Sequence, residues 1–180
     1  MSVISMIPGK SLTSLLGAIA LFLSTASTAA DISLALGHSG DSTITYRAGI
    51  QFPWQQSWFD TDAGRLGGYW TIGYTYWDSK DRVNTHSLSA SPVLTWEFGA
   101  RGAEIQPFIE AGIGLAAFSR NKIEDRELGS SVNFEDRFGI GVRLYQRHTI
   151  GAQALHYSNA GFSSHNAGIE SYNLYYRFDF

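Results

Sequence analysis

Three features of the 180-residue sequence predict an all-β fold, an eight-stranded antiparallel transmembrane β-barrel. Beyond residue 30 the chain divides into runs of about ten to fourteen residues in which apolar side chains alternate with small or polar ones, the period of a strand with two unlike faces. Aromatic residues reach 14% and glycines number 19, while no helix-length apolar stretch interrupts the runs. The C-terminus is the clearest case. In Ser171–Phe180, Tyr172, Leu174, Tyr176, Phe178 and Phe180 alternate with Ser171, Asn173, Arg177 and Asp179, and Tyr175 is ambiguous.

The first residues do not share this pattern. Lys10 precedes the apolar run Leu12–Leu23, and Ser24–Ala30 supplies small residues, the layout of a secretory signal. Ser27 and Ala29 predict cleavage after Ala29, with Ala30 as the alternative; a spanning helix is disfavoured because the run is short and rich in Ser and Thr. Residues 1–29 are thus expected to be a cleaved signal peptide and residues 30–180 one domain. No cysteine is present, so an exported chain must fold without disulfides. The 13 basic and 16 acidic residues are nearly balanced and the basic ones do not cluster, which argues against a nucleic-acid partner. The five histidines are scattered without metal-ligand spacing, and neither a metal nor another cofactor is expected.

Eight strands follow in order. The first, Ile32–His38, sets Ile32, Leu34 and Leu36 against Ser33, Ala35 and Gly37, and the second, Thr43–Phe52, sets Ile44, Tyr46, Ala48, Ile50 and Phe52 against Thr45, Arg47 and Gln51. Pro53–Gly64, with Trp54, Trp58 and Phe59, reads as a loop whose aromatics suit a membrane interface. The third strand, Leu66–Trp77, places Trp70, Ile72, Tyr74 and Tyr76 on one face. A charged loop, Asp78–Asn84, leads to the fourth, Thr85–Phe98, in which Pro92 predicts a bulge. The turn Gly99–Gly102 precedes the fifth strand, Ile105–Ala117, and Arg120–Ser131 has loop composition. The sixth strand, Val132–Tyr145, alternates cleanly except at Asp136, which falls on the apolar face without an evident reason. The seventh, His148–Ser158, and the eighth, which ends the chain, flank a loop at Asn159–Ala167.

A soluble sandwich or lipocalin-like barrel would turn these apolar faces inward. Here the polar faces carry Gly and Ser with Arg and Glu, and the apolar faces carry large aromatics, the pattern of a bacterial outer-membrane barrel with a polar interior. Arg47, Glu97, Glu110, Glu135, Arg137, Arg143 and Arg177 are therefore expected to form an ion-paired plug. The terminal Phe180, preceded by aromatics in phase, resembles the C-terminal signal of such barrels. The expected location is the Gram-negative outer membrane. Lipid-facing aromatics also offer a surface for a homodimer, though nothing in the sequence demands one.

On the seventh strand His156 and Ser158 share the apolar face with Ile150, Ala152 and Ala154, and the parity of the eighth puts Glu170 on that face too. An ionisable side chain facing lipid is expensive and usually functional. With both termini in the periplasm, the trio lies at the external rim, beside the lipopolysaccharide leaflet. Residues two apart on a strand lie about 6.6 Å apart, and a cross-strand neighbour about 5 Å away, so an imidazole could reach both a hydroxyl and a carboxylate. That is the material of a serine esterase, with His156 taking the Ser158 proton and Glu170 fixing the tautomer. The plainer reading is a hydrogen-bonded polar belt at the headgroups. On that reading the barrel binds lipopolysaccharide or serves adhesion without catalysis.

His156-Tyr157-Ser158-Asn159-Ala160-Gly161 and Gly168-Ile169-Glu170-Ser171-Tyr172 closely resemble the PagL family of lipid A 3-O-deacylases. The resemblance extends through Gly64-Arg65-Leu66, Gly73-Tyr74-Thr75-Tyr76-Trp77, Pro107-Phe108-Ile109-Glu110-Ala111-Gly112-Ile113-Gly114 and Asn133-Phe134-Glu135-Asp136-Arg137, across essentially the whole mature chain. It implies hydrolysis of the ester at position 3 of lipid A with release of a 3-hydroxy fatty acid. Ser158 would be the nucleophile, His156 the base and Glu170 the orienting acid. Asn159, with backbone donors near Gly161, would be the oxyanion-hole candidate, and Asn166 a lesser one that reads equally well as a turn residue. Transfer of the acyl group to a lipid acceptor would use the same nucleophile.

Overall fold

The computed structural model describes residues 30–40, 43–80 and 83–180; the expected signal segment, residues 1–29, lies outside the described residues. Eight long strands build the wall: β1 (Asp31–His38), β2 (Ile44–Pro53), β4 (Gly64–Asp78), β5 (Thr85–Phe98), β6 (Ile105–Phe118), β9 (Val132–Leu144), β10 (His148–Ser158) and β11 (Ile169–Phe178). Three short strands, β3 (Trp58–Thr61), β7 (Lys122–Ile123) and β8 (Arg126–Glu127), lie in the connections. Each wall strand pairs antiparallel with the next, β2 with β4 and β6 with β9 across the short strands, and β1 pairs with β11. The sheet is therefore closed and leaves no free edge, which is what a lipid environment requires.

The face that points outward decides between the two barrel types. Leu174 is 71% exposed and Phe138 58%, whereas Glu135, three residues along β9 from Phe138 and of opposite parity, is fully buried. Apolar side chains look out and charged ones look in, which excludes the lipocalin-like alternative. Tyr175, ambiguous in sequence, points inward and is buried.

The interior charges form two groups. Glu135 receives Arg47 at 3.2 Å and Arg137 at 3.0 Å, with the Tyr157 hydroxyl also donating to it at 3.0 Å. Nearer the chain termini, Glu97 is held by Arg65 and Arg143, each at 2.6 Å, while Asp179 accepts from Arg143 at 3.1 Å and Arg177 at 2.6 Å. Glu110 departs from the expected plug. It accepts the Tyr69 hydroxyl at 2.8 Å and makes no direct ion pair among the described residues. The lumen is not polar throughout either. Trp77, Phe118, Leu155, Tyr157 and Ile169 close the far end with an apolar cluster into which Ile123 and Leu128 insert.

Three local expectations change. Pro53–Gly64 contains β3, which pairs with β4 at Trp58↔Leu66 and Thr61↔Gly64, so the third long strand begins at Gly64. Arg120–Ser131 contains the β7–β8 hairpin rather than loop alone. Pro92 causes no bulge: the β5–β6 register is the same at Ala90↔Leu115 and Val93↔Gly112, with the pairing lapsing only at Ser91 and Pro92. A missing N–H interrupts the ladder without requiring an extra residue.

Candidate active site

Strands β10 and β11 run side by side at the rim opposite the chain termini. Alternation on β10 buries Thr149, Gln153, Leu155 and Tyr157 in the lumen and turns Ile150, Ala152, Ala154, His156 and Ser158 to the outer wall. The register makes Glu170 the direct cross-strand partner of His156. Their side chains meet, His156 Nδ1 lying 3.0 Å from Glu170 Oε1, with 43% and 35% of the two side chains exposed. The carboxylate accepts, so Nδ1 carries the proton and Nε2 is left as an acceptor. Ser158 is half-buried, two residues along the same face, and its hydroxyl makes no hydrogen bond among the described residues. The hydrogen bond to His156 that the sequence predicts is therefore not made in this structure; hydroxyl–imidazole bonds in hydrolases commonly form only with substrate in place.

The outer face also holds Asp136, directly across β9 from His156. The imidazole is thus flanked by a carboxylate-bearing residue on each neighbouring strand. The sequence sets Asp136 on the apolar face, in a stretch that resembles the family's, without a role; its lipid-facing parity, the argument that applies to Glu170, is the signal that links it to the site.

Beyond Ser158 the chain turns sharply. Ala160 and Gly161 adopt left-handed conformations (φ 52° and 80°), and Gly161 N donates to Asn159 Oδ1 at 2.9 Å, an Asx turn. Asn159 is buried and binds three segments together. Its Nδ2 donates to Leu128 O at 2.8 Å and His165 O at 2.6 Å, and its backbone N donates to Asn166 Oδ1 at 3.0 Å. Asn159 and Asn166 therefore stand beside the nucleophile candidate, but the Asn159 amide is engaged by the loops. Gly161 lies exposed at the turn. At the other end of this loop Gly168, at φ 62°, presses on the imidazole, and a Cβ there would lie 3.1 Å from His156 Cε1.

A groove of about 850 Å³ opens on the outer wall, beginning one step from His156 on β10. The small side chains Ala152 and Ala154 form its floor, and Phe138 and Ile140 on one side and Tyr172 and Leu174 on the other rise around them. Its lining continues past Tyr172 and Leu174 to Leu36 and His38 on β1 and Ile44 and Tyr46 on β2, so the groove runs across five neighbouring strands, long enough for an extended alkyl chain.

A closed eight-stranded barrel with an apolar exterior and a plugged interior is an outer-membrane β-barrel. The family model for lipid A 3-O-deacylase (PagL) matches residues 44–179. A lipid A deacylase PagL from Pseudomonas aeruginosa is 52% identical over 150 residues, covering 83% of this chain and 86% of the relative. A second, from Bordetella bronchiseptica, is 34% identical over 125 residues, covering 68% and 67% respectively. The crystal structure of the outer membrane enzyme PagL superposes with a TM-score of 0.79 at 50% identity, over 83% of this chain and 99% of that one. The chain belongs to the PagL family of lipid A 3-O-deacylases.

Proposed function

We propose that this protein hydrolyses the ester at position 3 of lipid A, with Ser158 as nucleophile, His156 as general base and Glu170 as the acid that orients it. The observation that carries this reading is the 3.0 Å His156–Glu170 contact on the lipid-facing wall, where a charged side chain is costly unless it serves a purpose. Family membership supports the substrate class.

In the reaction, Ser158 Oγ attacks the ester carbonyl while His156 Nε2 takes the hydroxyl proton. The imidazolium so formed is stabilised by Glu170 at Nδ1 and, through space, by Asp136 on the other flank. Collapse of the tetrahedral adduct breaks the bond to the sugar oxygen, which leaves with the proton from Nε2. Water at the rim then attacks the acyl-serine, giving its proton to His156, and Ser158 Oγ recovers it as the 3-hydroxy fatty acid departs. The reacting chain lies in the Ala152–Ala154 groove. Asn159 fixes the turn that follows Ser158 and, with the backbone N–H groups of that turn, supplies the donors for the oxyanion once its loop contacts rearrange around substrate. Asn166 holds that turn in register.

A fluorophosphonate carrying an alkyl chain tests the nucleophile. It is expected to label the folded barrel once, at Ser158, and to label Ser158→Ala and His156→Ala not at all. Labelling at another serine would overturn the assignment.

A further inference from the structure

The outer wall carries a second concavity, which the reaction above touches only at Asn159. It has a volume of about 290 Å³ and lies on the opposite side of Ser158 from Glu170. Leu115, Val132 and Phe134 form its lipid-facing wall, the exposed Phe162 arches over from the β10–β11 loop, and Asn133 and Asn159 line its polar end. The rings of Phe134 and Phe162 lie 6.3 Å apart between centroids, so the arch rests on the wall.

The register fixes where this crevice stands relative to the chemistry. Ser158 pairs with Phe134, and Phe134 pairs with Leu115, so nucleophile, near wall and far wall form one lateral row at strand spacing, about 5 Å per step. The crevice is continuous with the nucleophile's surroundings through Phe134 and Asn159. Its volume corresponds to roughly ten water-sized groups at about 30 Å³ each, enough for the first stretch of an alkyl chain and too little for a sugar with its substituents. An apolar wall with amide and hydroxyl groups at one end suits a chain that begins at a polar linkage.

We propose that this crevice seats the acyl chain carried on the sugar carbon next to the scissile ester, so that the enzyme grips its lipid by two chains and cuts one. The proposal rests on the deacylase reading above. With the reacting chain in the Ala152–Ala154 groove, a neighbouring chain that leaves the ring on the β9 side of Ser158 passes over Phe134, one strand away, and Leu115, two strands away. The grip would set the register of the ester over Ser158 and disfavour lipids acylated at a single position.

The test compares 2,3-diacylglucosamine 1-phosphate with 3-O-monoacylglucosamine 1-phosphate as substrates for the detergent-solubilised barrel. The unaltered protein is expected to prefer the diacyl probe by ten-fold or more in kcat/KM. Leu115→Trp, which fills the crevice from an exposed position on the wall, is expected to reduce that ratio to within about two-fold of unity through KM for the diacyl probe. Val132→Trp provides an independent filling and is expected to do the same. An undiminished preference, as when bulk lipid or a second copy of the chain occupies the crevice, would overturn the proposal, as would equal losses on both probes. Failure of the deacylase reading itself would look different, because the unaltered protein would then hydrolyse neither probe.

Discussion

Glu170 Oε1 lies 3.0 Å from His156 Nδ1, and on the proposed reading this contact decides which ring nitrogen acts as base. Glu170→Gln preserves size but not charge, and can favour the wrong tautomer. It is expected to lower kcat by up to about 10⁴-fold, the loss seen for the equivalent change in serine hydrolases, with the barrel still folded by its heat-dependent gel mobility. Gly168 gives a second test at this scale. A methyl group there meets a left-handed backbone and the edge of His156, so Gly168→Ala should cost about ten-fold in kcat, the equivalent of ~1.4 kcal/mol. The trio was legible in the sequence because one parity rule placed Ser158, His156 and Glu170 on one face. Asp136 obeys the same rule, but its place beside His156 depends on the β9–β10 register, which alternation alone does not fix. The engagement of Asn159 with Leu128 and His165 was equally out of reach, being a contact between loops.

Among the elements, β9 carries the interior anchor. Glu135 compensates both Arg47 and Arg137, and Glu135→Ala would leave two buried cations without their anion. Removal of one partner from such a network costs about 3–5 kcal/mol, so the urea midpoint for unfolding from bilayers should fall sharply, and more than for Tyr157→Phe. On β10 the groove depends on two small side chains. Ala152→Trp would block it part-way along, and the expected result is a shift in activity toward shorter acyl chains rather than general loss, measured with esters of graded length. The long strands could be read from their period of two, within a residue or two at most ends. The two-residue strands β7 and β8 are too short to show any period, and their residues Ile123 and Leu128 are held by packing into the barrel mouth. Glu110 looked like its fellow acids in sequence, yet its interior neighbour is a tyrosine hydroxyl, and interior neighbours follow from barrel closure rather than from local pattern.

For the molecule as a whole, the inversion of faces governs everything else. A polar, cross-linked lumen frees the outer wall to hold apolar grooves, and the row proposed to be reactive, Ser158, His156 and Glu170, lies beside them. Leu174, exposed midway along β11, should tolerate no charge: Leu174→Arg is expected to cost about 2–4 kcal/mol in a bilayer. On the proposed reading the site and its substrate share one medium, and the lipid need only move sideways to reach Ser158. Mass spectrometry of lipid A from outer membranes tests that claim most directly. The proposed chemistry predicts loss of one 3-hydroxyacyl group when the unaltered protein is present, with free 3-hydroxy fatty acid recovered, and full-mass lipid A when Ser158→Ala replaces it. Lipid A unchanged by the unaltered protein, or shortened just as well by Ser158→Ala, would contradict it.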